Sequence, residues 1–252
     1  MEDGLTSGAA RGTAAGAAGQ SVFASVAEIL ALRPLFHRTT SGRAVTWQLS
    51  DVVLEFLWDT ARPGMKTIET GAGVSTVVFA LRGCSHTVIT PDLGQVERIR
   101  AFSAEHGISL DAVTFITGPS QDLLPTLDLS DLEIALIDGS HSFPVAFMDY
   151  YYIGRALRTG GVMVVDNTNI WTGHILQQFM TSEPEWELIR RFPVSAAFRM
   201  VATAPPDLDK DWKEQRYNLR QSRIQLKLGK LRFAAEALRR EGLRAFIAQL
   251  LK

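Results

Sequence analysis

The sequence is short of cysteine, of long apolar runs and of any overall excess of charge. Cys84 is the only cysteine among 252 residues, which excludes an intrachain disulfide and a thiolate metal cluster. No stretch reaches the roughly 18 to 20 consecutive apolar residues that a membrane span needs. Residues 1–20 hold Ala, Gly and Thr without the hydrophobic centre of a secretory signal, and Glu2 and Asp3 argue against a transit peptide. They read as a disordered leader, and these absences together predict a soluble, cytoplasmic protein. The net charge of −1 conceals a division. Residues 212–252 hold 11 Lys/Arg against 3 Asp/Glu, a net +8, while the remainder holds 15 against 24, a net −9. An acidic body therefore carries a basic tail.

What is present is enough apolar material, 46% of the residues, for one α/β domain with appendages. Over residues 21–35 the apolar side chains Val22, Val26, Ile29 and Leu30 recur at helical spacing. A polar break over residues 37–43 precedes a second helix over residues 49–60, with Val52, Val53, Phe56 and Leu57 on one face and Pro63-Gly64 ending it. Strands and helices then alternate. Strands are expected at 66–69, 85–90, 113–117, 132–137 and 162–165, the last reached through a turn at Gly160-Gly161. Helices are expected from the 71–75 loop through 81, at 95–106, 121–127 and 144–157, and after His174 to about 180. Residues 186–192 and 197–202 read as two further strands that close the sheet as a hairpin. This βαβ rhythm predicts a mainly parallel sheet with right-handed crossovers. No internal repeat is evident.

Two of the strands end abruptly in polar side chains. Leu136-Ile137-Asp138-Gly139-Ser140-His141 is followed by Val164-Val165-Asp166-Asn167-Thr168-Asn169. Ligands of open α/β sheets sit at the carboxyl ends of strands, so Asp138, Asp166 and Asn167 are aimed at one point. Hard oxygen donors of this kind suit Mg2+ or a similar cation that keeps several waters. His141 lies three residues past Asp138, where an imidazole could act on a substrate held nearby. A single Asp at a strand end is more often a turn former or helix cap, and it is the set of residues that points to a site.

The first strand of the alternating pattern runs into Glu69-Thr70-Gly71-Ala72-Gly73-Val74-Ser75-Thr76. Glycines there let backbone approach a ligand closely. A full dinucleotide fingerprint wants Gly at position 76, where Thr stands, and the missing glycine argues against NAD.

These residues resemble the class I S-adenosylmethionine-dependent methyltransferases, and among them the metal-dependent O-methyltransferases. The segment Val113-Thr114-Phe115-Ile116-Thr117-Gly118-Pro119-Ser120-Gln121-Asp122-Leu123-Leu124-Pro125 is similar to the strand and turn that frame the adenine in catechol O-methyltransferase. The resemblance implies that Ser120 and Gln121 contact the adenine. Asp166-Asn167-Thr168-Asn169-Ile170-Trp171 resembles the metal loop of the caffeoyl-CoA type, which implies Asp138, Asp166 and Asn167 as ligands of Mg2+ or a similar divalent cation. The likeness covers about residues 48–203. It implies a Rossmann-like methyltransferase fold, with a mainly parallel seven-stranded sheet and a C-terminal antiparallel hairpin. The chain then divides into the leader 1–20, cap helices 21–62, an S-adenosylmethionine-binding core 63–204 and a helical extension 205–252. Cofactor contacts are expected from Glu69, Gly71, Gly73, Ser75, Asp92, Ser120, Gln121 and Asp138. Relatives place an acid at the position of Thr90, and Asp92 stands two residues later.

Catechol-type enzymes carry Lys where this chain has His141, and an Asp-x-x-His pattern resembles instead the macrolide-sugar O-methyltransferases. The implied acceptor is a hydroxyl of a small molecule or glycoside, with His141 and Asp138 catalytic. Two alternatives remain open: metal-independent methylation with His141 as the base, and a noncatalytic module of this fold that works through its tail. Trp171 is either a wall of the acceptor pocket or a core residue. The other histidines, His37, His86, His106 and His174, read as structural or exposed.

In the tail, Lys213, Arg216, Arg220, Arg223, Lys227 and Lys230 are spaced to form one helical stripe, beside an apolar stripe of Ile224, Leu228, Leu231, Ala235 and Leu238. Residues 239–252 continue it with Leu243, Phe246, Ile247 and Leu250. The pattern predicts a solvated basic face on a docking or dimerising helix. An acidic partner and an anionic membrane surface are the sharper alternatives. Nucleic acid is not expected, because the tail has few aromatics and no recognition motif.

Overall fold

The computed structural model describes residues 23–241. The expected leader and the amphipathic stretch beyond residue 241 lie outside the described residues. The chain opens with α1 (Val26–Ala31), a two-residue hairpin of β1 (His37–Arg38) and β2 (Ala44–Val45), and α2 (Asp51–Thr60). The alternating part follows as β3 (Lys66–Thr70), α3 (Val74–Leu81), β4 (Ser85–Thr90), α4 (Leu93–Glu105), β5 (Val113–Thr117) and α5 (Ser120–Leu123). It continues as β6 (Leu132–Ile137), α6 (Val145–Ala156), β7 (Leu157–Val165) and α7 (Trp171–Ser182). The hairpin strands β8 (Trp186–Arg191) and β9 (Ala196–Met200) precede the long α8 (Arg216–Glu241).

Seven strands form one sheet in the order β5-β4-β3-β6-β7-β9-β8. The first five pair in parallel, and β9 runs antiparallel to both β7 and β8. This is the Rossmann-like arrangement with a terminal hairpin that the sequence implied. The inner strands are buried on both sides because helices cover both faces. On β6, Ile134 and Leu136 enter the core under α2 and α3, while Ala135 and Ile137 enter the core under α6 and α7. On β7, Val162 and Val164 share the first core and Met163 and Val165 the second, the period of two that a pleated strand imposes.

The chain steps outward in opposite directions from β3 and β6, which makes their carboxyl ends the switch point of the sheet. The two strand ends are in backbone contact there. The Asp138 amide donates to the Thr70 carbonyl at 3.0 Å, and the Asp166 amide donates to Ile137 at 3.0 Å. The ladder thus extends one residue past each strand and carries Asp138 and Asp166 to the crevice.

Several elements differ from expectation for identifiable reasons. The first helix covers only Val26–Ala31, because Arg33 turns into the left-handed region at φ 48° and Pro34 follows. The polar break is itself structured: His37 pairs with Val45 and Arg38 with Ala44. The 121–127 helix divides into α5 and a 3-10 turn, Leu124–Thr126, that contains Pro125. Strand β7 leaves α6 directly, with Leu157 already paired to Leu132, so Gly160-Gly161 lies inside the strand. Helix α7 begins at Trp171, three residues ahead of His174. Helix α8 starts at Arg216, which leaves Lys213 of the expected basic stripe outside it. Its start is held by Glu183, whose carboxylate accepts from the amides of Arg216 at 3.2 Å and Tyr217 at 2.8 Å. Farther along, Ile224, Leu228 and Leu231 are exposed. No helix among the described residues is long and apolar enough to cross a membrane.

Gly71, with φ 91°, carries the close approach of the two strand ends, since a Cβ on it would lie 2.3 Å from the Asp138 carbonyl oxygen. Gly64 has a similar φ of 80° with nothing within 4 Å. Gly64→Ala is therefore expected to cost about 1 kcal/mol, the conformational term alone. Gly71→Ala is expected to cost about 3 kcal/mol or more, because backbone must move as well. Thermal denaturation of the two variants checks this, with a drop of roughly 8 °C or more expected only for Gly71→Ala.

Candidate functional site

The crevice above β3, β4 and β6 contains a cavity of about 530 Å³. That is the size of a nucleoside-bearing ligand rather than an ion. Gly71, Asp92, Ser120, Gln121 and Asp138 of the expected cofactor set lie in its wall, together with Thr70, Ala72, Thr90 and Gln95. Glu69, Gly73 and Ser75 do not. Glu69 is 1% exposed, and its carboxylate accepts from Ser75 Oγ at 2.5 Å, from Thr76 Oγ1, and from His86 Nε2 at 3.2 Å. It braces the glycine turn from beneath, with its oxygens turned away from the cavity. His86, which has no evident partner in the sequence, is buried, bonded through Nδ1 to Thr67 Oγ1 at 2.8 Å and stacked on Phe79.

At the end of β4, Thr90 is buried and donates to Gln95 Oε1 at 3.0 Å. Asp92 caps α4 by accepting from the Gln95 amide at 3.0 Å, and its second oxygen accepts from Arg98 at 2.9 Å. Asp92 stays half-exposed on the cavity wall, so this acid is positioned by a helix start and a cation at once.

Beyond Asp138 the second cluster begins. Asp138 and Asp166 stand at the ends of the adjacent strands β6 and β7. Burial, then the charges of Asp166 and Glu69, raise Asp138 well above the ordinary carboxylate range. Asp166 is buried, with one oxygen accepting from Ser195 Oγ and the other from Asn167 Nδ2 at 2.6 Å. The Asn167 backbone has φ 54°, a conformation that Asn tolerates better than most residues. Its amide nitrogen also lies 3.2 Å from His141 Nε2, which is 3.9 Å from Asp138 Oδ1. Because the nitrogen is fixed by the Asp166 carboxylate, it donates to His141, and Nε2 of the imidazole is bare. Burial lowers the His141 pKa, against the opposing charge of Asp166.

The expected metal set therefore converges, but as a hydrogen-bonded network. Asn167 offers its amide nitrogen to the centre rather than its oxygen, and both Asp166 oxygens are engaged. Among the described residues no group of three or more His, Cys, Asp or Glu side chains is disposed to hold a metal ion. As arranged, these residues do not fit a cation cage. On the outer side, Phe143 and Trp171 are both largely exposed, with ring centroids 6.4 Å apart. Trp171 is thus a rim residue and not part of the core.

Among wall residues the sequence did not point to, His37 and Trp47 come from the N-terminal hairpin region, and Gln95 is bonded to His37. A further omission is Asp149 on α6. It is fully buried, neither oxygen has a hydrogen-bond partner, and the hydroxyl of the neighbouring Thr70 lacks one too. Burial raises its pKa, while the nearby hydroxyls of Ser120 and Thr70 pull it down by a smaller amount.

Residues 68–168 match the model of a family described as a methyltransferase domain. The chain superposes on the cofactor-bound Rv0187 from MTB with a TM-score of 0.53 and 22% identity, over 63% of this chain and 84% of that one. The O-methyltransferase TomG from Streptomyces achromogenes, involved in tomaymycin synthesis and solved with S-adenosylmethionine, gives 0.52 and 18% over 62% and 82%. An rRNA methylase from Streptococcus thermophilus gives 0.50 and 10% over 63% and 100%. At these identities the likeness establishes the fold, and the differing acceptors of the last two leave the acceptor open. No curated protein matches the sequence.

The isolated Asp149 carboxylate carries a stability prediction. Its folded pKa is raised above 3.8, so its protonated form stabilises the fold below pH 3.8 and that contribution is lost as pH rises through the folded value. Asp149→Asn is expected to melt above the wild type at pH 7 to 8, with the difference shrinking toward zero as pH falls to about 3.8. Paired melting curves across this range check it.

Proposed function

We propose that this chain, which carries a class I S-adenosylmethionine-dependent methyltransferase domain, moves a methyl group to a hydroxyl oxygen of a small molecule or glycoside. The observation that carries the reading is the neutral His141 imidazole, held by Asn167 beside Asp138, which lines the cofactor cavity. The sulfonium of S-adenosylmethionine is already a strong electrophile, so the protein's part is to orient the acceptor and remove its proton. The acceptor oxygen attacks the methyl carbon and a C–O bond forms. The C–S bond breaks with its electron pair to sulfur, which leaves neutral S-adenosylhomocysteine. The hydroxyl proton passes to His141 Nε2. The contact of Nε2 with Asn167 is long, and a better-aligned hydroxyl donor can replace it. The developing imidazolium then faces Asp166, whose charge favours it. Phe143 and Trp171 offer flat apolar surfaces for a ring-shaped acceptor, sugar or aromatic.

A second reading has Asp138 and Asp166 hold a divalent cation such as Mg2+. The placement of two carboxylates at adjacent strand ends favours it. A bound cation would supply Lewis acidity to the acceptor hydroxyl. It requires Asn167 to reverse its amide and Asp166 to release a hydrogen bond. Activity that survives EDTA supports the His141 reading, and activity lost in EDTA and restored by Mg2+ supports the cation.

His141→Ala is expected to lower turnover by about 10² while leaving S-adenosylhomocysteine affinity within a few-fold. Single-turnover assays against a panel of sugar and phenolic hydroxyl acceptors, with calorimetry for the cofactor product, check both halves. Turnover unchanged in His141→Ala overturns the assignment of the base.

A further inference from the structure

The sequence offers no partner for His37, yet the structure brings it into the cavity wall, beside Arg38 and Trp47 of the same N-terminal segment. Its protonation follows from Gln95. The Gln95 side-chain nitrogen lies 2.7 Å from the Ala72 carbonyl oxygen, an atom that can only accept, so the orientation of the amide is fixed. The Thr90 hydroxyl, which donates to the Gln95 amide oxygen, agrees with this orientation. The same nitrogen lies 3.0 Å from His37 Nδ1. It donates there, so Nδ1 is bare and the ring carries its hydrogen on Nε2. Burial and the nearby Arg98 also disfavour a second proton.

Nε2 is the part of the ring nearest the glycine turn, since a Cβ on Gly73 would meet it at 3.3 Å. No acceptor for its hydrogen is found among the described residues. Gly73 is the residue immediately before α3, whose first-turn amides carry the positive end of the helix dipole. The neutral N–H of His37 and the start of α3 therefore place hydrogen-bond donors at one corner, where the charges of Arg98, Asp92 and Glu69 also act on the ring. Asp92 and Asp138 make the rest of the wall acidic. A ligand that fits such a cavity carries an anionic group at one end and donors or positive charge along the remainder. The amino-acid end of S-adenosylmethionine has this character, with a carboxylate beside an ammonium and a sulfonium.

We propose that His37, brought to the cavity by the β1–β2 hairpin, is a binding residue that donates from Nε2 to the α-carboxylate of the cofactor. The inference rests on the S-adenosylmethionine reading above and deepens it. It makes the hairpin, which lies outside the residues that match the methyltransferase domain, part of the cofactor site.

The test is calorimetric titration of the full chain with S-adenosylhomocysteine and with the same compound lacking its carboxyl group. Wild type, His37→Phe and His37→Gln are compared. His37→Phe keeps a flat ring without the donor and is expected to weaken S-adenosylhomocysteine about tenfold, the effect of one charge-assisted hydrogen bond. It is expected to leave the decarboxylated compound unchanged. His37→Gln, whose amide nitrogen reaches about as far as Nε2, is expected to recover part of the loss. An equal loss for both compounds in His37→Phe makes His37 a merely structural residue and overturns the proposal, as does no loss for either. Failure of the wild type to bind either compound overturns the cofactor reading itself, and this inference with it.

Discussion

At the end of β3 the Glu69 carboxylate is taken out of water and receives three donors, from Ser75, Thr76 and His86. Removing an ion from water costs several kcal/mol, and only well-placed donors offset that cost. Two of these donors belong to the first turn of α3, and the third belongs to the neighbouring strand β4. The bonds therefore fix where α3 begins relative to β3 and β4, and so fix the path of the Gly71–Gly73 turn between them. The turn sets the floor of the cavity, the contact of Gly71 with the Asp138 carbonyl, and the approach of His37 to Gly73. An acid at this position thus serves the ligand by shaping backbone, without touching the cavity.

Charge is distributed unevenly around that floor. Asp138, Asp166 and Glu69 lie close enough that each raises the cost of ionising Asp138, and His141 stands at the edge of this acidic group. His37 stands on the other side of the glycine turn, beside Gly73 and the start of α3. Burial lowers the pKa of both imidazoles and both are bonded by a carboxamide, yet the two carboxamides meet different ring nitrogens. Asn167 leaves His141 with a bare Nε2, suited to accept a proton, whereas Gln95 leaves His37 with Nε2–H, suited to donate. In each case a second, acceptor-only oxygen fixes the amide, Asp166 for Asn167 and Ala72 for Gln95. The tautomers are consequences of the network and not of pH.

Much of this was legible in the sequence where the signal is local. Strands β4, β5 and β6 fall at the expected residues because each is a short run rich in β-branched and apolar side chains bounded by turns. Asp138, Asp166 and Asn167 could be found because strand ends at a switch point are geometrically defined. Their arrangement could not, since which Asp166 oxygen is left for Asn167 depends on Ser195 and the far side of the amide meets His141, both distant from Asn167 in the chain. An acid ahead of a glycine turn reads as a ligand contact, and its bonds to Ser75, Thr76 and His86 could not be foreseen from the sequence.

The N-terminal segment was the least legible part, and the reason is physical. Two-residue strands carry no periodicity, and the polar residues 37 to 43 have the composition of a loop. What holds the hairpin in place is long-range: Arg98 on α4 donates to the Phe36 carbonyl at 2.7 Å, and Gln95 one turn earlier bonds His37. Both anchors sit on α4, the helix that Asp92 caps at the cavity edge. The segment that brings His37 to the cavity is thus tied to the same helix that presents Asp92 there. Its position then follows from the core β4–α4 unit rather than from any stability of its own. A short hairpin with no apolar core cannot persist alone in water, so its docking on α4 is what makes it available to a ligand at all.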